Sequence, residues 1–170
     1  MPQTKIIDTN VVLVANGQHQ DVSDDCVKQC ALQLQAIMRR GRIAMDDGFL
    51  ILREYQHKTQ PKRGNRPGDA FVKWALRNNA NQERCDLVPL QEDRDRGFSS
   101  FPDDPELTNF DDPDRKFVAV AAAHSQHPPI VQAADSKWLD WNTALNRYGI
   151  QVDFICQADI QRFHQRKFGT

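Results

Sequence analysis

A run of β-branched and other apolar residues near the start of the chain carries one acid and one amide. The run extends from Lys5 to Leu13 and contains Asp8 and Asn10. Such a continuous apolar run is typical of a buried strand in a parallel sheet. A carboxylate inside an apolar strand is costly unless a cation or a metal ion pairs with it. The nearest cationic side chains along the sequence are Lys5 and Lys28, so Asp8 is a candidate metal ligand.

The rest of the pattern alternates between strand-like and helix-like spacing of apolar residues. The predicted strands are 5–13, 43–46, 86–90, 130–135 and 150–155. The predicted helices are 26–38, 48–58, 69–78, a segment that begins at residue 114, 137–148, and a short C-terminal segment. Strands that alternate with helices predict parallel strands joined by right-handed crossovers. The expected fold is therefore an α/β protein, a three-layer α/β/α sandwich with a central parallel sheet.

Length and charge narrow the class of protein only a little. The 170 residues fit a single domain, 1–170, and the net charge of −1 gives no global basic field. A local basic patch would still be enough to bind nucleic acid. No segment approaches about 18 consecutive apolar residues, so no membrane span is expected. The N-terminal residues lack an apolar signal region, and we therefore expect a cytoplasmic protein.

The four cysteines do not form a CxxC pair. Cys26 and Cys30 are four residues apart and share one face of a predicted helix. We therefore expect them to be packed thiols rather than zinc ligands.

Three further acids stand where they could join Asp8 at one edge of the sheet. Asp135 ends a predicted strand, Asp114 begins a helix, and Glu54 lies in the helix that follows the second strand. Ligands of open α/β sheets bind outside the carboxyl ends of the strands. Carboxylates gathered there would raise one another's pKa, and hard cations such as Mg²⁺ or Mn²⁺ would relieve the repulsion.

Each of these three acids, taken alone, also has a structural explanation. Asp135 could cap the following helix, and Asp114 could complement a helix dipole. Glu54 could pair with Lys58 at the i,i+4 spacing. The joint pattern, rather than any single acid, favours a metal site.

The four acid-bearing motifs together resemble those of PIN-domain nucleases, in the same order along the chain. The motifs are Ile6-Ile7-Asp8-Thr9-Asn10, Leu50-Ile51-Leu52-Arg53-Glu54-Tyr55, Asp114-Arg115-Lys116-Phe117-Val118-Ala119-Val120-Ala121 and Ala133-Ala134-Asp135-Ser136-Lys137-Trp138-Leu139. The resemblance covers residues 6–139. The region 57–113 does not follow the family pattern, because it is longer than the corresponding region of compact members. We therefore treat it as an insertion-like variable region.

The resemblance implies a metal-dependent phosphodiesterase with a PIN-like fold. Mg²⁺ or Mn²⁺ would be held by Asp8, Asp114 and Asp135, and Glu54 would complete the catalytic set directly or through water. Such ions polarise a phosphate and activate water, so no nucleophilic side chain is needed. Asp111 and Asp112 are spare acids, and either could take part. The residues expected to orient the acids are Thr9, Asn10 and Ser136.

The implied substrate is RNA, with single-stranded DNA as an alternative. The loop after the second helix is basic, and two cations stand next to Asp114. Cations of this kind would contact phosphates. The expected nucleic-acid-binding residues are Lys58, Lys62, Arg63, Arg66, Arg115 and Lys116. The four acids favour an endoribonuclease. Resemblance alone implies that it is a toxin or a defence-system component, that its partner is an antitoxin or another defence-system protein, and that it forms a homodimer.

Two other interpretations compete with the nuclease. A haloacid-dehalogenase-like phosphatase also begins with an acid on its first strand, but it requires a second Asp two residues later. Asn10 occupies that position. A catalytically inactive PIN-like module that binds nucleic acid or protein would keep the fold. Metal-dependent cleavage that is lost in Asp8→Asn would exclude it.

Overall fold

The computed structural model describes residues 2–168, in which strands and helices alternate along most of the chain. The strands are β1 (Thr4–Ile7), β2 (Arg42–Asp46), β3 (Cys85–Val88), β4 (Glu92–Asp93), β5 (Gly97–Phe98), β6 (Ile130–Gln132) and β7 (Val152–Phe154). The helices are α1 (Thr9–Ala15), α2 (Asp24–Arg40), α3 (Leu50–Lys58), α4 (Pro67–Asn78), α5 (Arg115–Ala123), α6 (Lys137–Asn146) and α7 (Gln157–Phe168). Two short 3₁₀ turns, Pro105–Leu107 and Asp112–Asp114, precede α5.

A five-stranded parallel sheet forms the middle layer, with the strand order β3-β2-β1-β6-β7. Helices α1, α2 and α4 pack on one another, and α5 packs against β1, β2 and β6. The predicted three-layer α/β/α sandwich is confirmed. Ile6 and Ile7 of the central strand are almost completely buried, because a strand covered on both faces has no solvent side.

The strand order reverses at β1. From β1 the chain moves outward to β2 and β3, and it then returns to the other side of β1 to form β6 and β7. Such a reversal opens a crevice at the carboxyl ends of the two central strands, where α/β proteins bind their ligands. The end of β1 and the end of β6 both face this crevice.

The predicted strand 5–13 is wrong at its carboxyl half. β1 ends at Ile7, and α1 begins at Thr9. Asp8 lies between them as the helix N-cap, and its side chain accepts a hydrogen bond from the Asn10 backbone N–H. Periodicity alone cannot distinguish a buried strand from a buried helix in a continuous apolar run. Val11 and Val12 are buried as helix residues.

The interpretation of Cys26 as a packed thiol is also wrong. Cys26 at the start of α2 is joined by a disulfide to Cys156, which directly precedes α7. Cys30 is a buried free thiol, as expected, and its Sγ lies 3.8 Å from that of Cys156. The pairing spans 130 residues and depends on β7 bringing Cys156 back to α2, which cysteine spacing cannot reveal.

The long region 57–113 contributes to the fold at two places. α4 packs against α1 and α2, and β3 pairs with β2 at the edge of the sheet, as predicted for that segment. The small antiparallel pair β4 and β5 lies outside the main sheet. Of the helices within residues 2–168, none has the length and apolar character needed to cross a membrane.

The end of α1 and the start of α4 are joined through Asn16. The buried Asn16 Oδ1 accepts hydrogen bonds from the backbone N–H groups of Gly68 (2.7 Å) and Asp69 (3.1 Å). The Asn16 Nδ2 donates to Asp69 Oδ1 at 2.9 Å. A Cβ at Gly68 would come within 2.3 Å of the Val12 carbonyl oxygen, so only glycine permits this close approach.

We expect Asn16→Ala to lower the free energy of unfolding by about 2–4 kcal/mol, because two buried N–H donors lose their acceptor. Urea denaturation measures this change. Gln20→Ala, in the exposed loop four residues later, should change stability by less than about 0.5 kcal/mol. Equal stabilities of the two variants would contradict the role given to Asn16.

Candidate metal centre at the switch point

Asp8 stands at the carboxyl end of β1 and is 4 % exposed. Its backbone N–H donates to the Val131 carbonyl of β6 at 3.0 Å, which ties it to the switch point. Its Oδ1 accepts from the Asn10 N–H at 2.8 Å, whereas its Oδ2 is buried and has no hydrogen-bond partner. A buried carboxylate oxygen without a partner is energetically costly, so this atom is a candidate metal ligand.

A second buried acid shows what a purely structural aspartate looks like in this fold. Asp46 ends β2, and its two carboxylate oxygens accept from the N–H groups of Leu50 (2.8 Å) and Ile51 (3.0 Å). Both oxygens are therefore used to cap α3. Asp8 caps α1 with only one oxygen and leaves the other without a partner, which distinguishes the two acids.

Glu54 reaches the same crevice from α3. Its Oε2 accepts a short hydrogen bond from the Thr9 hydroxyl, and its Oε1 lies 3.3 Å from Lys116 Nζ. The Glu54 and Lys116 side chains are 17 % and 11 % exposed, so the pair is partly shielded from water. These contacts take the place of the i,i+4 pairing with Lys58 that the sequence offered as a structural explanation.

Asp114 and Asp135 complete the group from α5 and from the loop after β6. Asp114 is the N-cap residue of α5, but its side chain makes no capping hydrogen bond. Asp135 Oδ1 accepts from the Lys137 N–H at 3.1 Å, so it partly serves the helix start as the sequence allowed. The buried Gln132 holds this loop, since its Oε1 accepts from the N–H groups of Ala133 (2.9 Å) and Asp135 (3.3 Å).

The charges of the four acids act on one another. Burial raises the pKa of Asp8 well above its ordinary value, and the nearby carboxylates of Asp114, Asp135 and Glu54 raise it further. Burial, followed by Asp135 and Glu54, raises the pKa of Asp114 to about 6. Burial also raises the pKa of Asp135. The four acids are therefore close enough for their charges to act on one another.

The residues expected to orient the acids lie around them. The Thr9 hydroxyl holds Glu54, and Asn10 Oδ1 accepts from the Ala134 N–H at 3.0 Å, which links α1 to the loop after β6. Ser136 precedes α6 and lines an open cavity of about 330 Å³ beside Asp135.

The spare acids have different surroundings. Asp111 Oδ2 lies 3.0 Å from Lys137 Nζ. The charge of Asp111 also raises the pKa of Asp114, but less than burial, Asp135 and Glu54 do. Asp112 is almost fully exposed and pairs with Arg115 at 3.2 Å. Asp111 therefore borders the group of acids, and Asp112 points to solvent.

The predicted nucleic-acid-binding residues divide into three sets. Lys116 lies at the acids through its contact with Glu54. Arg115, its neighbour, is 8 % exposed, and its guanidinium donates to the carbonyl oxygens of Arg96 and Thr108 at 3.0 Å. We therefore leave Arg115 out of any substrate surface. The remaining cations are exposed at the end of α3 and in the following loop, and they are Lys58, Lys62, Arg63 and Arg66.

Two side chains that support the site were not predicted from the sequence. Tyr55 is buried, and its hydroxyl donates to the Ile7 carbonyl oxygen just before Asp8. Gln132 positions Asp135, as described above. Gln132 could have been predicted, because it is a single amide in an otherwise apolar strand. Tyr55 could not, because its spacing is that of an ordinary core residue of a helix.

The donor set of the site fits a hard divalent cation. It offers carboxylate oxygens, one of them buried and unpartnered, which is the chemistry that Mg²⁺ and Mn²⁺ prefer. Within residues 2–168, the carboxylate oxygens of the acids do not lie as close together as the three sulfur atoms of Cys26, Cys30 and Cys156, which are within 4.8 Å of one another. Those sulfur atoms are not free ligands, because Cys26 and Cys156 form a disulfide. Looser spacing is compatible with Mg²⁺, which keeps several waters and takes one or two carboxylates.

The metal-free protein should lose stability as the pH rises through the raised pKa values of these acids. The pKa of Asp114 is about 6 in the fold against 3.8 ordinarily, so the folded state binds more protons between these values. The free energy of unfolding therefore falls between about pH 4 and pH 7. We expect Asp114→Asn to be more stable than the parent at about pH 7.5 in EDTA, by on the order of 1 kcal/mol after solvent screening.

Denaturant unfolding at about pH 4 and pH 7.5 checks this expectation. The difference should shrink at the lower pH, where Asp114 is protonated. Asp95→Asn, at an exposed acid between β4 and β5, should show no such dependence on pH. A variant Asp114→Asn that is less stable than the parent at neutral pH would contradict the repulsion.

Comparisons with known proteins leave the site to be interpreted from its own chemistry. No protein-family model, no curated protein and no solved structure matches the chain. Membership of the PIN-domain family therefore stays a prediction from the four motifs. What is established is an α/β/α fold whose switch point gathers four acids, three of them with raised pKa values.

Proposed function

We propose that this protein is a Mg²⁺- or Mn²⁺-dependent nuclease, and most specifically an endoribonuclease. One observation carries the proposal: a buried Asp8 oxygen without a partner faces the switch point among the charges of Asp114, Asp135 and Glu54. Four carboxylates that repel one another are hard to explain as a stabilising device. A bound divalent cation would turn this repulsion into attraction.

Different residues of the site would bind the ion, position the acids and contact the phosphate. Asp8, Asp114 and Asp135 would hold the ion, which when bound polarises a phosphodiester and activates water for its hydrolysis. Thr9 and Lys116 fix the Glu54 carboxylate, and Asn10 fixes the loop that carries Asp135. Lys116 also supplies a cation beside the acids, where it can contact a phosphate.

The alternative is a module with the same fold that binds nucleic acid or protein without cleaving it. The phosphatase interpretation is less favoured, because the Asn10 amide oxygen accepts from Ala134 N–H at the position where that chemistry needs an acid. A role as a toxin or a defence-system component, an antitoxin partner and a homodimer all depend on the family resemblance. A cytoplasmic location remains a prediction from the N-terminal residues.

We expect the purified protein to cleave labelled single-stranded RNA with Mg²⁺ or Mn²⁺ and to be inactive in EDTA. Asp8→Asn keeps the N-cap of α1 but removes one anionic ligand, so cleavage should fall at least about 100-fold. Mn²⁺ should raise the melting temperature of the parent and have little effect on that of the variant. Gel assays and thermal melting measure the two effects.

Asp47→Asn is the matched control, because Asp47 is an exposed acid at the end of the neighbouring strand β2. This variant should cleave and bind Mn²⁺ as the parent does. A folded parent that binds Mn²⁺ and RNA but cleaves neither RNA nor single-stranded DNA would favour the non-catalytic module.

The exposed cations after α3 are expected to bind the RNA backbone. The α3 helix places Lys58 one turn beyond Glu54, and the loop with Lys62 and Arg63 follows it. The double variant Lys62→Ala/Arg63→Ala should weaken RNA binding, and the slope of log K against log salt should become shallower by about 0.7 for each lost contact. Fluorescence anisotropy over a salt series measures this slope.

The double variant Arg39→Ala/Arg40→Ala serves as a charge-matched control. These exposed arginines end α2 and lie next to the start of β2, at the edge of the sheet opposite the acids. An equal loss of affinity in both double variants would mean that only net charge matters, and the proposed surface would be wrong.

A further inference from the structure

The site has a neighbour that the nuclease chemistry does not use. The open cavity of about 330 Å³ beside Asp135 is lined by Asn10, His19, Asp21, Ala134, Asp135, Ser136 and Phe163. Asn10 and Asp135 belong to the group of acids and its supports, so the cavity borders the proposed metal centre. Its size is at the lower end of the range for small-molecule sites.

One wall of the cavity is aromatic. The rings of His19 and Phe163 stack at a centroid distance of 5.9 Å and an interplanar angle of 25°. The guanidinium carbons of Arg162 and Arg166 lie 5.0 and 5.9 Å from the centre of the Phe163 ring. Rings flanked by arginines form the kind of surface against which unpaired bases of single-stranded nucleic acids stack.

The cavity also has a polar group in need of a partner. The Nδ1 atom of His19 is buried and makes no hydrogen bond within the part of the chain that the structure describes. Asp21, Ser136 and Asn10 add further polar side chains to the lining. An aromatic wall with polar groups around it matches a nucleobase, which has π faces and a polar edge.

The aromatic wall is held in place before any ligand arrives. Asp159 of α7 accepts hydrogen bonds from the Ser23 N–H (2.6 Å) and the Ser23 hydroxyl (2.8 Å). Arg162 donates to the Asp21 carbonyl oxygen at 2.7 Å. These contacts fasten the loop that carries His19 to the helix that carries Phe163, so little ordering is needed on binding.

We propose that this cavity binds an unpaired nucleobase adjacent to the phosphodiester at the metal centre. The inference rests on the proposed nuclease function and adds to it a base-binding subsite, which favours a single strand over a duplex. The base lies against the wall formed by His19 and Phe163, and its polar edge meets the other polar side chains that line the cavity. The exposed Arg166 and Arg162 lie at the rim, where the flanking phosphates pass.

Fluorescence anisotropy with a labelled single-stranded RNA oligonucleotide tests the base site. The full-length chain carries Asp8→Asn, so that affinity is measured in Mg²⁺ without cleavage. Phe163→Leu keeps an apolar side chain on α7 but removes the ring, and we expect about tenfold weaker binding. Phe163→Tyr should restore the affinity to within about twofold. His19→Leu, in the loop, should weaken binding without altering α7.

Three controls test whether a loss of RNA affinity is specific to this cavity. Tyr148→Leu removes an exposed aromatic ring after α6, and it should bind RNA as the parent does. Thermal melting with Mn²⁺, measured with Asp8 intact, should show the same metal-induced shift for Phe163→Leu and the parent. The duplex of the same sequence should bind at least about tenfold more weakly than the single strand.

The outcomes distinguish the base site from the nuclease. Unchanged affinity in both Phe163→Leu and His19→Leu, or equal binding of duplex and single strand, overturns the base site even if RNA is cleaved. Competition by adenosine 5′-monophosphate as strong as that by the oligonucleotide overturns RNA as the occupant in favour of a free nucleotide. Phe163-dependent binding without any metal-dependent cleavage supports the base site and overturns the nuclease.

Discussion

The burial of one carboxylate at the end of the central strand governs the organisation of this molecule. Asp8 closes β1, caps α1 with one oxygen and leaves the other buried without a partner. Taking an anion out of water in this way is expensive, and three more carboxylates nearby make it more so. The fold supplies Lys116 for Glu54, but its described contacts provide no cation for Asp8 itself. A bound divalent ion is the simplest source of the missing positive charge.

The topology explains why the acids meet at this place. The chain leaves β1 in one direction and returns to its other side, so the loops after β1 and β6 border one crevice. Two bridges across the crevice, from Asp8 N–H to Val131 and from Ala134 N–H to Asn10, hold its sides at a fixed separation. The cavity lined by His19 and Phe163 is also lined by Asn10 and Asp135, which places an aromatic wall next to the acids.

Local patterns predicted the layers of the fold and the four acids, because both depend on short-range spacing and on strand ends. They did not predict contacts between residues that are far apart in the sequence. Lys116 is far from Glu54 in sequence, so the pattern pointed to Lys58 as its partner. Arg115 and Lys116 are adjacent, yet a helix turns by about 100° per residue, and only one of them reaches the site. The disulfide of Cys26 likewise needed the position of β7.

The account rests on a divalent cation at the acids, and anomalous X-ray scattering from crystals grown with Mn²⁺ tests this most directly. A manganese peak should lie within bonding distance of Asp8 Oδ2 and at least one oxygen of Asp114 or Asp135, at about 2.2 Å. A fully occupied peak elsewhere, or no peak at the switch point of a folded protein at millimolar Mn²⁺, would contradict the central claim.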